Sequence, residues 1–327
     1  MNTGYKQWLR RWRVIIIPKS GGSGIDVSNL RCAFHIEKQL EETPNFSQIV
    51  ITNPAVATIN NIQPGDRVTV EAGYVGGNFG MIFSGEVVQP YIERDQVVDT
   101  NLVLVCQDGD VFLNSAFTAK SLEKGATALD VVNICAQGEG VSKGKITDKL
   151  TEQSPYIRGK VLFGLNADYL KRVAYSVSSQ FYVEDSEINI ISAEDYKAGT
   201  VVELNPDTGL VGDPSQTDDG VSAKCLINPS IKLNTLVHLS PETVKKKMVS
   251  KEGDKVSELA VDGVYRVVKM VYEGDTHGDD WYCTFEAVDQ NASKGNGSGG
   301  PGDVSSYTTG EGRDGSVLHQ GLELFRG

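Results

Sequence analysis

Apolar and polar residues alternate in short runs through the first hundred positions. Leu30, Cys32, Phe34 and Ile36 alternate with Arg31, Ala33, His35 and Glu37, which predicts a half-buried strand. Val68, Val70 and Ala72 alternate with Arg67, Thr69 and Glu71, directly after the turn sequence Pro64-Gly65-Asp66. Phe46–Thr52, Met81–Gln89 and Asn101–Cys106 predict further strands. Several short strands at this spacing predict a small antiparallel barrel or sandwich.

The period changes near Ser121. Thr127-Ala-Leu-Asp130 has the pattern of a capped helix start, and Ala128, Leu129, Val132, Cys135 and Ala136 then fall on one helical face. Gly138 and Gly140 are its expected stop. A second helix is expected from Asn166 as its cap, with Tyr169, Leu170, Val173, Ala174 and Val177 on one stripe. Gln180–Glu184 and Glu187–Ser192 read as strands.

Strand character returns at Thr200. Val201–Leu204 leads into a polar tip, Asn205–Gly220, and Ala223–Ile227, Leu236–Leu239, Gly263–Tyr272 and Trp281–Val288 are expected strands. In the last, Trp281, Cys283, Phe285 and Ala287 point one way, and Tyr282, Thr284 and Glu286 the other. The pattern predicts a mainly β chain with an α+β insert: a first antiparallel β-barrel over 1–106, a small α+β domain over 107–198, and a second barrel over 199–290. Residues 291–327 carry ten glycines, the composition of a flexible linker. Two readings of this tail stay open. Either it is poorly fixed, or another chain orders it through Val317, Leu318, Leu322, Leu324 and Phe325.

Composition narrows the function classes. The 327 residues carry 31 Lys and Arg against 43 Asp and Glu, a net charge of −12. An acidic surface disfavours gripping a nucleic-acid duplex. Five cysteines, none in a Cys-x-x-Cys pair, encode neither a disulfide framework nor a zinc finger, which fits synthesis in a reducing compartment. The apolar run Val14–Ile17 is too short for a signal peptide or a membrane span, so assembly in the cytoplasm is expected.

Candidate chemistry is sparse. His35 sits on the polar face of a strand and His238 inside Leu236–Leu239; neither they nor His277 and His319 have a partner at metal-ligand spacing. No Gly-x-Ser-x-Gly elbow is present. Gly73–Gly80 is glycine-rich but lacks the Lys of a phosphate loop and leads into a strand, so it reads as a wide hairpin turn. Asp213, Asp218 and Asp219, and Asp275, Asp279 and Asp280, read as solvated hairpin tips without calcium-loop spacing. Cys32, Cys106, Cys135, Cys225 and Cys283 all fall in apolar runs and read as small buried hydrophobes. No catalytic residue, cofactor site or metal site is assigned. Two basic stretches stand out, Trp8–Arg13 and Lys245–Lys247 with Lys251 and Lys255. The lysines are a solvated loop or a contact to an acidic neighbouring subunit, with nucleic-acid binding third because no aromatic stacking residues stand beside them.

The order barrel, small α+β insert, barrel, glycine-rich tail resembles the baseplate hub proteins of bacteriophage tails. Phe83-Ser-Gly-Glu-Val-Val-Gln89 is similar to the family's first-barrel strand before the closing strand. Lys120-Ser-Leu-Glu-Lys-Gly-Ala-Thr-Ala-Leu-Asp130 is similar to the lead-in to the insert. Gly274–Trp281 followed by Tyr282-Cys-Thr-Phe285 is similar to the last hairpin of the second barrel. The resemblance covers about residues 10–290 and leaves out the Trp/Arg segment, the lysine-rich insert and the tail.

The resemblance implies a homotrimer around a channel. Six tube-like barrels would meet the tail tube or tube-initiator proteins above, and a threefold spike below. Baseplate wedge proteins would be further neighbours, and DNA would pass without specific binding. The place implied is the virion's tail baseplate, and Trp281, Phe285, Phe34 and Phe83 would be core anchors. The rival reading is a tail-associated glycan-binding or peptidoglycan-hydrolysing β-barrel protein.

Overall fold

A computed structural model describes residues 7, 9–95, 99–137, 140–192, 195–197, 199, 201–217, 220–245 and 259–290. All of them belong to one unit, Met1–Ser293. The tail at 291–327, with His319, lies outside the described residues, as do Trp8, Gly138, Asp218, Asp219, Lys246, Lys247, Lys251 and Lys255.

The fold is mainly β with a few helices, in line with the alternation of the sequence. The first stretch contains strands β1 (Arg10–Ile17), β2 (Ile25–Asp26), β3 (Cys32–Gln39), β4 (Asn45–Thr52), β5 (Arg67–Tyr74), β6 (Phe79–Asp95) and β7 (Asp99–Asp108), with helix α1 (Val56–Asn61). The middle holds helices α2 (Asp110–Ser115), α3 (Ala128–Cys135) and α4 (Asn166–Ser176), with strands β8 (Phe117–Leu122), β9 (Ser142–Ile146), β10 (Lys160–Leu165), β11 (Ser179–Glu184) and β12 (Glu187–Ser192). The last stretch has β13 (Val202–Leu204), β14 (Leu210–Gln216), β15 (Val221–Leu226), β16 (Leu236–Leu239), β17 (Val264–Asp275) and β18 (Trp281–Asp289).

Thirteen strands from the two outer stretches form one sheet, in the order β14-β15-β18-β17-β3-β4-β7-β6-β5-β1-β2, with β16 branching from β17 and β13 pairing with β16. The seam between the stretches is the antiparallel pairing of β17 with β3, from Lys269↔Gln39 to Asp275↔Ala33. On each side of this seam a hairpin partner follows, then one more strand, so β15-β18-β17 faces β3-β4-β7.

One hydrophobic core runs under both stretches, from Val14 and Ile16 through Phe34, Phe83 and Leu104 to Tyr272, Trp281 and Phe285. Phe34, Phe83, Trp281 and Phe285 are all buried. Phe34 meets Trp281 edge to face, ring centroids 5.6 Å apart. Gly274 is required there, because the Phe34 ring lies where its Cβ would stand. A second core is built within the middle stretch, from Phe112 to Ile190.

Several local expectations hold. Thr127 and Asp130 make a reciprocal capping box for α3. Gly73–Gly80 is the β5–β6 turn; Gly73 sits at φ +150°, and a Cβ there would collide with the Asn78 carbonyl. Trp281, Cys283, Phe285 and Ala287 are buried while the residues between them are not.

Other expectations need correction. Asn166 is not a cap but the first residue of α4, and its Oδ1 accepts a 2.5 Å hydrogen bond from Thr118 Oγ1. The inward face of α3 uses Val131 in place of Leu129. The polar tip at 205–220 contains a strand, β14, because the backbone of Leu210 and Val211, then of Ser215 and Gln216, pairs with β15. Arg10–Ile17, a basic stretch and a short apolar run in the sequence, is a strand paired with β5 along its whole length.

Candidate functional site

Two neighbouring strands of the middle stretch, β11 and β12, are joined by the turn Asp185-Ser186, where both residues have positive φ, 54° and 65°. Paired positive φ is the geometry of a tight hairpin turn, and Asp tolerates it better than most residues. This turn is pushed into the junction of all three stretches. Asp108, at the end of β7, receives both turn amides: Asp185 N–H donates to Oδ2 at 2.5 Å and Ser186 N–H to Oδ1 at 2.9 Å. Asn45 of β4 donates to the Val183 carbonyl at 2.8 Å.

The turn carboxylates are held by lysines from both outer stretches. Lys38 of β3 lies 2.6 Å from Asp185 Oδ1, and Lys232 3.0 Å from Oδ2. Glu184 pairs with Lys197 at 2.6 Å and accepts from the Leu233 amide at 3.1 Å. Three lysines thus face three carboxylates. Burial alone would discharge Lys38, but Asp185 and Glu184 outweigh it and hold the ammonium charged. Burial likewise works against Asp185, and Lys38 and Lys232 outweigh it, keeping its carboxyl below the usual range. Asp108 goes the other way: burial, then the Asp185 charge, push it up to about 7, against Lys38 and the two amide donors.

A buried ion network of this kind gives little net stability against an apolar replacement, yet breaking one partner is costly. It does fix geometry. Lys38, Asp108, Glu184 and Asp185 are closed off from solvent, while Lys197 and Lys232 reach the cluster from its partly exposed rim, so the arrangement is that of a clamp between the three stretches. No motif or spacing in the sequence singles it out. One signal is present, however: Lys38 shares strand parity with Cys32, Phe34 and Ile36, a charge on the apolar face.

A second link ties the chain's start to its last hairpin. Arg10 donates to the carbonyls of Asp275, Gly278 and Asp279, at 3.1, 2.5 and 2.8 Å. Its guanidinium lies 5.4 Å from the Trp281 ring centroid. Arg31 grips Asp275 with two hydrogen bonds, 2.6 and 3.2 Å. The described part of the Trp8–Arg13 stretch is therefore intramolecular mortar.

The remaining candidates stay scattered. His35 pairs with Glu37 at 2.9 Å, His238 with Glu203 at 3.4 Å, and His277 with the Thr276 hydroxyl at 3.0 Å. All five cysteines are buried and free. Lys245 meets Asp213 at 3.1 Å, joining one expected acidic tip to one expected basic stretch. Among the described residues, no group of His, Cys, Asp and Glu has metal-holding geometry, and no helix is long and apolar enough to cross a membrane.

The fold itself has counterparts. The 43 kDa tail protein of prophage MuSo2 from Shewanella oneidensis aligns over 86% of this chain and 98% of its own, with TM-score 0.56 and 11% identity. A tail protein from Neisseria meningitidis MC58 aligns over 87% of this chain and 98% of its own, with TM-score 0.55 and 12% identity. Among curated protein sequences none matches. At the level of sequence, residues 20–245 match the family described as baseplate hub gp41. That span takes in β3, most of the sheet and the whole clamp, and by it the chain belongs to the baseplate hub gp41 family.

Proposed function

We propose that this hub-family chain, a structural component of phage tails, forms a homotrimeric ring. The ring adapts a sixfold tail tube to a threefold spike and carries no reaction of its own. Each copy would supply two tube-like β-barrels, 1–106 and 199–290, on either side of the 107–198 domain. Three copies would then present six equivalent surfaces to tube or tube-initiator proteins above, and three to a spike below. A baseplate wedge is a lateral neighbour in the same scheme. The net charge of −12 supports a lumen past which DNA slides without adhering.

One observation carries this reading: the β3–β17 seam, which joins the two outer β stretches into a single sheet. A shared hydrogen-bonded seam gives the rigidity that symmetry matching needs, and it pairs two edges that would otherwise be open to other chains. The test is the mass and image of the purified protein. A threefold ring is the expected result. A monomer that turns over peptidoglycan would replace this function with the enzymatic one.

A further inference from the structure

The two-stranded sheet of β8 and β10 carries the most exposed apolar face of the middle stretch. Phe117, Val161 and Phe163 are 54, 70 and 73% exposed, and Ile157 just before β10 is 83% exposed. Register places Phe163 opposite Ala119 and Val161 opposite Ser121, so these side chains share the face turned away from the core, while Leu162 is buried beneath. Phe117 and Phe163 meet edge to face, centroids 5.1 Å apart. Exposed aromatic and aliphatic groups clustered in this way mark a contact surface.

The sheet is also unfinished on one side. The far edge of β10 is occupied at Phe163, whose amide donates to the Tyr169 hydroxyl at 2.8 Å. Among the described residues β8 has β10 as its one strand neighbour, and Ala119, Lys120 and Ser121 are exposed. Charge surrounds that edge. Lys120, Lys124 and Arg158 are exposed, and none has an ion-pair partner among the described residues. Glu123 is the one acid within 117–125 and 156–165. Lys160 is already engaged, 4.5 Å from the Tyr156 ring.

We infer that β8 is a receiving edge for an extended acidic segment of a different protein chain. The segment adds as a third strand and sets alternate apolar side chains on Phe117, Val161 and Phe163. Main-chain hydrogen bonds give such strand addition its affinity, and alternate side chains its specificity. The cations around the edge select acidic partners. A second copy of this chain is a poor occupant, because β8 against β8 sets Lys120 near Lys120. The chain's own 291–327 is also poor: Lys294, Arg313 and Arg326 nearly balance Asp303, Glu311, Asp314 and Glu323. Nucleic acid is disfavoured because the Phe117 and Phe163 rings are 88° apart and offer no parallel platform for successive bases. This inference does not depend on the trimer.

The test uses the full chain with a peptide of about 12 residues alternating Glu with Val or Phe, the same peptide with Lys for Glu, and an oligothymidine of about 12 nucleotides. Anisotropy reads affinity, and hydrogen exchange reads the β8 amides. The acidic peptide is expected to bind and to slow exchange at those amides of 117–122 that point away from β10. Lys120→Glu with Arg158→Glu, and separately Phe163→Ser, are expected to weaken it about tenfold or more, with unchanged thermal melting. The idea is overturned if the acidic peptide does not bind, if the basic peptide binds as well, or if the oligothymidine binds more tightly. It is equally overturned if the β8 amides that point away from β10 are already protected in the chain alone. Protection independent of concentration would then identify the chain's own tail as occupant, and protection rising with concentration a second copy.

Discussion

Lys38 and Asp185 form an ion pair with Nζ 2.6 Å from Oδ1, in which the two side chains are only 1 and 2% exposed. They come from strand β3 and from the turn after β11, so the pair staples the middle stretch to the sheet. Replacing Lys38 by Met leaves the Glu184, Asp185 and Asp108 carboxylates with one cation too few. Removing one partner of a buried pair costs about 3–5 kcal/mol. Urea titration of Lys38→Met should show a loss of that size. A loss below about 1 kcal/mol would mean that Lys232 and Lys197 suffice, and that Lys38 is no part of the clamp.

The Asp108 carboxyl should make stability depend on pH in an unusual direction. Its folded value, about 7, lies above its ordinary 3.8. Between those values the folded state holds a proton that the unfolded state has lost. Stability from this group is therefore complete below about pH 4 and declines as pH rises towards 7. Asp108→Asn removes the titration, at the constant cost of one backbone acceptor. Urea midpoints from pH 4.5 to 7.5 should fall more steeply for the parent than for the variant. Parallel curves would show that the carboxylate is ionised throughout.

Arg10 satisfies three carbonyls of the last hairpin and lies over Trp281. Arg10→Ala should cost about 1.5–3 kcal/mol, the range for hydrogen bonds to a charged group. Arg10→Lys should recover little of it, because an ammonium cannot reproduce the planar fork. Full recovery by Lys, measured by thermal melting of the three proteins, would reduce the contact to simple charge.

Trp281 and Phe163 separate packing from surface. Trp281 is 1% exposed beneath Phe34 and Arg10, and Trp281→Ala should cost about 3–5 kcal/mol. Phe163 is 73% exposed, and Phe163→Ala should stay within about 0.5 kcal/mol. Equal losses in chemical denaturation would show that the β8–β10 face is covered within the same chain.

Much of the fold is legible in the sequence because it obeys local rules. Strands such as β3, β5 and β18 show clean period-two burial, and the Thr127–Asp130 box announces α3. Legibility fails where tertiary pairing decides. Arg10–Arg13 carries three arginines yet becomes a strand, since β5 offers a complete ladder and the last hairpin offers carbonyls for Arg10. Residues 210–216 contain Gly212, Asp213 and Pro214 yet pair with β15 around an irregular register. The clamp is hard to read for a related reason: apart from Lys38 on the apolar parity of β3, its members Asp108, Asp185 and Lys232 are far apart in the sequence, and only the folded chain brings their charges together.

The seam between β3 and β17 also sets a timetable. Lys269 pairs with Gln39, so roughly 230 residues must be made before that edge of β3 finds its mate. At about 5–20 residues per second the ribosome needs roughly 10–50 s. Throughout that interval an unpaired, apolar-backed strand stands available to any stray chain. Slow synthesis or crowded polysomes should therefore trap this protein as aggregate, and a shortened chain ending before residue 264 should fare worst of all.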